Sequence, residues 1–204
     1  MDVLLHTPSG NNNLSIHYDR AFKNAVELFV VTAYLTEWDS SLALNPSCST
    51  FRIIIGSDFG ITRKAACEKV MRWLPSNRKS KFLVADSISG FHPKAVFWKE
   101  ADGTFHSVIG SSNLTRAAFD TNYEANILCP LSEADYKRAR KWVDEIEAQC
   151  EVVCEDWLFR YKEASRADAP VNVLPVTDFG HRGSGNVCYL DFPSHNPNVV
   201  GIEV

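Results

Sequence analysis

Three short apolar runs, at 27–35, 51–55 and 81–85, constrain the fold of this chain more than any other feature. Each run is nearly continuous rather than alternating, which is typical of a β-strand covered on both faces. The segments 18–25 and 62–74 beside them have the spacing of amphipathic helices. The sequence therefore predicts a central sheet with helices packed on both sides.

A β-hairpin is predicted in the middle of the chain. Asp102 and Gly103 separate the strand-like segments 91–99 and 104–109, and an Asp-Gly pair in this setting favours a tight turn. Because a hairpin joins antiparallel strands, the sheet cannot be purely parallel. The predicted fold class is α/β, with a mixed central β-sheet flanked by helices.

The remaining elements suggest how the chain is divided. A strand is predicted at 123–128, a helix capped by Ser132 follows it, and another helix is predicted at 156–164. Beyond that helix, prolines and glycines punctuate short strand-like pieces. We expect one main domain at 1–164 and, at 165–204, a short β-rich appendage or the start of a second domain.

Length and charge limit the function classes. The 204 residues are 45% hydrophobic and 23% charged, enough for one sizeable core. The formal net charge of −4 argues against a broadly basic coat for nucleic acid, although it allows a local basic groove. No segment approaches the ~20 apolar residues of a membrane span, and the N-terminus has no secretory pattern. We expect a cytoplasmic protein with no membrane span.

The six cysteines are scattered and form no Cys-x-x-Cys pair, as is typical of reduced thiols in a cytosolic protein. Cys150 and Cys154 lie four residues apart, but a zinc site needs two more ligands, and only the distant His181 and Cys188 offer themselves. Buried small thiols explain the pattern more simply. We expect neither a metal nor a cofactor.

The segment around His92-Pro93-Lys94 carries the first chemical signal. In a strand, residues two apart point to the same face, so the imidazole and the ammonium are predicted to converge. Lysine is almost never fully buried unless it is paired, so a purely structural role does not explain this pair. Two groups that can carry positive charge at one spot suit an anion.

A turn rich in small hydroxyl residues follows the hairpin. Gly110-Ser111-Ser112-Asn113 precedes the segment 114–119, which is predicted to be helical, and backbone N–H groups at such a point bind phosphate. An ordinary N-cap is the alternative, since Ser and Asn are favoured there. Glu124 opens the next apolar strand, where a carboxylate needs a partner such as a histidine N–H. A surface glutamate at a strand edge is the alternative for that residue.

These residues resemble the signature of the phospholipase D superfamily. That signature is a His-x-Lys followed by Gly-Ser/Thr-x-Asn, which His92, Lys94 and the 110–113 turn match. The family often has an aspartate seven positions after the histidine, where this chain has Lys99. Glu124 instead is similar to the glutamate of metal-independent nucleases, including restriction endonucleases, of this superfamily. The resemblance is strong from 91 to 128 and looser from 14 to 85, and it implies a phospholipase D-like α/β/α sandwich.

The resemblance implies covalent catalysis by two histidines. One histidine attacks phosphorus to give a phosphohistidine, and a second protonates the leaving oxygen before water attacks. None of the chain's other histidines is followed by x-Lys. Two copies of the chain would supply both halves, so a homodimer with a shared site is expected.

The resemblance also assigns roles to individual side chains. Lys94 and Asn113 would hold the phosphoryl oxygens, and Glu124 would orient His92. Ser111 would assist them. The remaining candidates for binding the substrate phosphates are Ser112 and Arg116.

The short chain, the single motif and the glutamate variant favour a nuclease, and DNA is expected rather than RNA. A role as the cleavage module of a restriction or defence enzyme would require a recognition domain or subunit. Two other hypotheses about the function remain open. The protein could be a phospholipase or phosphatidyl transferase that acts on lipids, or a non-catalytic assembly module that kept the fold.

Overall fold

The computed structural model describes residues 1–8 and 14–165, which contain one sheet and its flanking helices. The strands are β1 (Asp2–His6), β2 (Ala25–Thr32), β3 (Thr50–Ile55), β4 (Phe82–Val84), β5 (Lys94–Glu100), β6 (Phe105–Gly110), β7 (Glu124–Leu131) and β8 (Glu151–Val152). The helices are α1 (Leu14–Asn24), α2 (Lys64–Trp73), α3 (Arg116–Asp120), α4 (Glu133–Glu147) and α5 (Glu155–Arg160). Except for residue 165 itself, the appendage expected at 165–204 lies outside the described residues.

The eight strands of the described residues form one mixed sheet in the order β1-β7-β6-β5-β2-β3-β4-β8. Strands β2, β3 and β4 are parallel, whereas β5 is antiparallel to β2. The predicted hairpin joins β5 to β6, and Gly103 occupies the left-handed region there with a φ of 87°. This φ explains the glycine, because other residues adopt such a conformation at a cost.

Side-chain alternation along β2 divides the core into two layers. Leu28 and Val30 pack on one face with the apolar sides of α1, α2 and α5. Phe29 and Val31 pack on the other face, where α4 contributes Tyr136, Val143 and Ile146. Since each buried side chain of this size contributes about 1.5–3 kcal/mol, both layers are needed for stability. The predicted sheet flanked by helices is confirmed.

Several boundaries differ from the sequence prediction. The apolar run at 27–35 ends as a strand at Thr32, because the chain then turns and only Leu35 forms a further bridge, to Leu114. Strand β1 was not predicted: its apolar run is only three residues long, and it pairs with β7 along its whole length. The helix predicted at 156–164 ends at Arg160.

One correction concerns the first motif. His92 was expected within a strand, but β5 begins at Lys94 and His92 precedes it. Pro93 separates the two and has no N–H to donate to the sheet, so the ladder starts after it. His92 is therefore held less tightly than a strand residue would be.

The register brings the motif residues to one edge of the sheet. The carboxyl end of β2 lies beside the start of β5, with Thr32 opposite Lys94. The end of β6 lies beside the start of β7, with Gly110 opposite Asn126. No helix within the described residues is long and apolar enough to cross a bilayer. The five cysteines of the described residues are free thiols.

Candidate active site

His92 is exposed, and the half-buried Lys94 lies in contact with it. The Lys94 Nζ atom lies 2.9 Å from Nδ1 of His92, 3.2 Å from Nε2 and 3.1 Å from its backbone oxygen. An imidazole nitrogen that accepts a bond from an ammonium group must be unprotonated, so this contact requires a neutral ring. The Tyr34 ring meets the imidazole edge-on, with 5.7 Å between centroids.

The electrostatics of the pair favour the neutral imidazole. Partial burial lowers the pKa of His92, the Lys94 ammonium lowers it further, and the Asp58 carboxylate opposes both. Partial burial also lowers the pKa of Lys94, while the Glu124 carboxylate acts to raise it. The result is an unprotonated nitrogen beside a cation, which is the state a nucleophile at phosphorus requires.

Asn113 is fixed by the end of β2. Its Oδ1 atom accepts the Thr32 hydroxyl and the Tyr34 backbone N–H, each at 3.2 Å. The Thr32 hydroxyl oxygen in turn accepts the backbone N–H of Leu114 at 3.2 Å. Because the amide oxygen accepts both bonds, the Nδ2 group of Asn113 is the end left to donate to a ligand.

The turn that carries Asn113 is clipped to β7. Ser111 donates its N–H to the Ala125 oxygen at 3.0 Å, and the Ala125 N–H returns a bond to the Ser111 hydroxyl at 3.0 Å. A Cβ atom on Gly110 would collide with the Ala125 oxygen and the Asn126 side chain. A glycine is therefore required here by close approach.

Ser112 is buried, and its hydroxyl is hydrogen-bonded to another side chain of the protein. It accepts the Asn126 Nδ2 group at 2.8 Å, while the Ser112 N–H donates to Asn126 Oδ1 at 3.3 Å. Both side chains are buried at the start of β7. This two-way bond fixes the turn relative to the sheet.

Glu124 is 9% exposed and lies behind this turn. Its carboxylate accepts the Ser111 hydroxyl and, at 3.0 Å, the Asn122 amide. The bond to His92 that the sequence suggested is not among the hydrogen bonds of the described residues. Glu124 instead acts on the pKa of Lys94 through its charge. Its cross-strand neighbour in β1 is the buried His6.

Arg116 opens α3 one turn after Asn113. Thr115 caps this helix by accepting the Ala118 N–H at 3.2 Å. The Arg116 guanidinium is exposed and donates to Asp120 at 2.9 Å. A phosphate that binds Arg116 must therefore compete with this carboxylate.

Most of the other basic side chains in the described part of the chain are also paired with carboxylates. The pairs are Arg63–Glu163, Arg72–Glu68, Lys81–Glu147, Lys99–Glu27, Arg140–Glu27, Lys137–Glu133 and Lys141–Glu145. These surfaces are neutralised locally, and the site itself carries Lys94 as its ammonium group. No cluster of three or more potential metal ligands occurs among residues 1–8 and 14–165.

The sequence motifs did not identify three residues that organise the site. Thr32, Tyr34 and Asn126 hold the 110–113 turn or flank His92, yet none belongs to the His-x-Lys or Gly-Ser-x-Asn pattern. Thr32 and Tyr34 stand where the first apolar run takes on polar residues. This change from apolar to polar residues could have drawn attention to Thr32 and Tyr34. Their hydrogen bonds to Asn113 depend on the fold and could not be predicted from the sequence.

The arrangement places an unprotonated imidazole beside groups that can bind an anion. A neutral imidazole, an ammonium group and an amide donor lie at one edge of the sheet. Donors held in place before a negative charge develops stabilise it without reorganising. The site therefore has the chemistry for binding an oxyanion next to His92.

Comparison with solved structures supports the fold. The structure is similar to NucT from Helicobacter pylori, with a TM-score of 0.52 and 13% sequence identity over 74% of this chain and 98% of that chain. It is also similar to Nuc from Salmonella typhimurium, a phospholipase D family member, with a TM-score of 0.53 and 15% identity over 74% of this chain and 96% of that chain.

The sequence matches no protein-family model and no curated protein. The likeness to solved structures therefore rests on three-dimensional arrangement rather than on sequence identity. It shows that this chain has the fold of a phospholipase D family member. The resemblance predicted from the His-x-Lys and Gly-Ser-x-Asn segments is confirmed at the level of the fold.

Proposed function

We propose that this protein is a metal-independent phosphodiesterase, and specifically a nuclease that cleaves DNA through a phosphohistidine intermediate. The contact of the Lys94 ammonium with the neutral His92 ring, beside the fixed amide of Asn113, carries the proposal. The similarity to NucT and Nuc supports the choice of nuclease over lipid enzyme. A restriction or defence enzyme fits this activity if a further domain or subunit reads the sequence.

The proposed reaction has two steps. A nitrogen of His92 attacks phosphorus, forming a P–N bond as the P–O bond to the leaving nucleotide breaks. The departing oxygen takes a proton from a second, protonated histidine. Water then attacks phosphorus, gives its proton back to that histidine, and releases His92.

The other side chains hold the phosphoryl group. Lys94 and the Nδ2 group of Asn113 bind its non-bridging oxygens. The Ser111 hydroxyl, which donates to Glu124 and accepts the Ala125 N–H, assists by holding the turn in place. Ser112 contributes by fixing the turn, and Arg116 contacts the next phosphate along the strand once it leaves Asp120. Burial lowers the pKa of Lys94, and the Glu124 carboxylate opposes this shift and so favours the ammonium form.

The second histidine is proposed to be His92 of another copy of the chain. An apolar face beside the site supports this homodimer. Val3, Ile127 and Ile109 are cross-strand neighbours in β1, β7 and β6, and all three are exposed. Trp142 lies across the hollow, of about 580 Å³, that Ile109 shares with His92. A second copy that covers this face would bring its own His92 to the site.

Cleavage in EDTA tests the chemistry. We expect the wild type to cut single- or double-stranded DNA without a divalent metal, and we expect His92→Ala to cut neither. Cleavage that needs magnesium and survives His92→Ala would overturn the mechanism. Cleavage of phosphatidylcholine vesicles but not DNA would assign the protein to lipids.

A mixing experiment tests the shared site. If both His92 side chains serve one site, equilibrating equal amounts of wild type and His92→Ala should leave about a quarter of the dimers active. If each subunit instead had its own independent site, half of all the sites in the mixture would remain active. The variant Ile127→Lys should give monomers in sedimentation experiments and lose cleavage with them. A monomeric wild type with full activity would contradict the dimer.

A further inference from the structure

A strained turn lies at the same sheet edge as His92. It follows β3, and its central residue, Phe59, occupies the left-handed region with a φ of 61° and a ψ of 8°. Among the non-glycine residues that the structure describes, Phe59 alone has a positive φ. Its side chain is 73% exposed. A bulky aromatic residue is an outlier in this conformation, which glycine or asparagine adopts far more readily.

Contacts on both sides hold the turn in place. The Asp58 carboxylate accepts the Gly90 N–H at 2.9 Å, just ahead of the His92 segment. The Gly60 oxygen accepts the Ala164 N–H at 3.0 Å, and a Cβ on Gly60 would meet the 162–164 backbone. The surroundings therefore fix the backbone while the Phe59 ring gains no burial from it. Strain that persists without a packing benefit points to a function for the side chain.

The turn faces the reacting groups. The Asp58 carboxylate is bonded to Gly90, two residues before His92, and a Cβ atom on Gly56 would meet Phe91. Tyr34 in turn packs edge-on against His92. Phe59 thus lies, exposed, in a turn that packs against the segment leading to His92.

Charge alone provides this surface with little affinity for nucleic acid. The chain has a net charge of −4, and most basic side chains in the described part are paired with carboxylates. Aromatic rings bind unpaired bases by stacking, and this contribution does not depend on base identity because every base has a π-face. An exposed aromatic ring beside the proposed phosphodiester site supplies binding energy for nucleic acid that the charges do not.

We propose that Phe59 is a nucleobase-binding residue, which stacks on an unpaired base next to the scissile phosphate. This inference rests on the proposed nuclease function and narrows its substrate to single-stranded or locally unpaired nucleic acid. In a duplex the bases are already stacked on one another, so Phe59 has no free face to contact.

The test uses Phe59→Asn, Phe59→Tyr and a control, Phe159→Ala, whose phenylalanine is 89% exposed on α5. Asparagine suits the left-handed backbone and removes the ring, whereas tyrosine keeps the ring. The substrates are oligothymidylate and a strand of the same length made of abasic tetrahydrofuran units. For each combination of protein and substrate, kcat and KM are measured. The melting temperature of each protein is measured as well.

We expect Phe59→Asn to raise KM for oligothymidylate by about 5- to 150-fold, the range that follows from base–aromatic stacking. On the abasic strand it should behave as the wild type does, and its melting temperature should be at or above the wild-type value. Phe59→Tyr and Phe159→Ala should keep the wild-type KM. An equal loss on both strands, or an unchanged KM on oligothymidylate, would overturn this inference and leave the nuclease proposal standing. A wild type that cleaves neither strand but cuts duplex DNA would also overturn this inference, whereas a wild type that cleaves no DNA at all would overturn the proposed function itself.

Discussion

The two sides of the site are held in contrasting ways. His92 lies outside the sheet, and its hydrogen bonds come from the Lys94 side chain two residues away. The 110–113 turn is bonded to two separate strands: Asn113 to the end of β2, and Ser111 and Ser112 to the start of β7. The contrast fits the proposed mechanism, in which the fold holds the phosphate-binding turn in place and His92 is left free to move onto phosphorus.

This difference has an energetic consequence. Removing a side chain that few groups contact costs little stability, whereas breaking a buried network leaves polar groups without partners. Substitutions on the nucleophile side should therefore affect the reaction alone. Substitutions in the turn should affect the folded state, the reaction, or both, depending on which atom is lost.

The largest expected effect is that of His92→Ala. Loss of the nucleophile should lower kcat by about 10⁴-fold or more. The free energy of unfolding should stay within about 0.5 kcal/mol of the wild type, because the ring is exposed. Initial rates on DNA and urea unfolding check the two statements. His17→Ala is the matched control and should keep its activity; a large loss of stability in His92→Ala would break the comparison.

Asn113→Ala should damage both activity and stability. The Tyr34 N–H would lose its acceptor, which costs about 1–3 kcal/mol of unfolding free energy, whereas the Thr32 hydroxyl keeps the Tyr34 backbone oxygen at 3.1 Å. Loss of the Nδ2 donor should lower kcat by about 10²–10³-fold.

Asn113→Asp separates the two roles of that side chain. It keeps an acceptor for Thr32 and Tyr34 but replaces the donor with a negative charge, which repels phosphate. We therefore expect near wild-type stability with no recovery of activity. If Asn113→Ala unfolds at the same urea concentration as the wild type, the cradle is not held as the structure indicates.

The sequence predicted the framework of this site better than its details. The apolar runs predicted β2, β3 and β4, and Asp102-Gly103 predicted the hairpin that brings Lys94 alongside Gly110. These features depend on local periodicity and turn chemistry, which a single sequence displays.

The partners of the turn could not be predicted in the same way. Thr32 and Asn113 meet only because parallel and antiparallel neighbours of β2 place them at one edge. The positive φ of Phe59 likewise follows from contacts with residues far away in the sequence, such as Ala164. Strand β5 begins directly after Pro93, because proline cannot donate to the sheet ladder. The strand-like sequence pattern around His92 gave no indication of this boundary.

A smaller effect is expected for Ser112→Ala. Removal of the buried hydroxyl leaves the Asn126 Nδ2 group without its acceptor, which should cost about 1–3 kcal/mol of unfolding free energy. The kcat of the folded protein should change little, because the backbone N–H of residue 112 still donates to Asn126. Urea unfolding and rates at low temperature measure the two quantities. A loss of kcat at unchanged stability would instead assign the hydroxyl to the phosphate.

The finest test concerns the protonation of the nucleophile. Partial burial and the Lys94 ammonium hold the pKa of His92 below its ordinary value of about 6.5, and Asp58 pulls it upward. The attacking form is the neutral ring, which predominates above this pKa. The acid limb of kcat/KM should therefore fall at a lower pH than an ordinary histidine would give.

Two substitutions should move the pKa of His92 in opposite directions. Lys94→Met removes the neighbouring cation, so the pKa should rise. Asp58→Asn keeps an acceptor for the Gly90 N–H but removes the charge, so the pKa should fall and the acid limb should extend further. NMR titration of the His92 ring protons measures both shifts, including in the inactive Lys94→Met protein. An unchanged pKa in both variants would mean that burial alone, and not the surrounding charges, sets the protonation of His92.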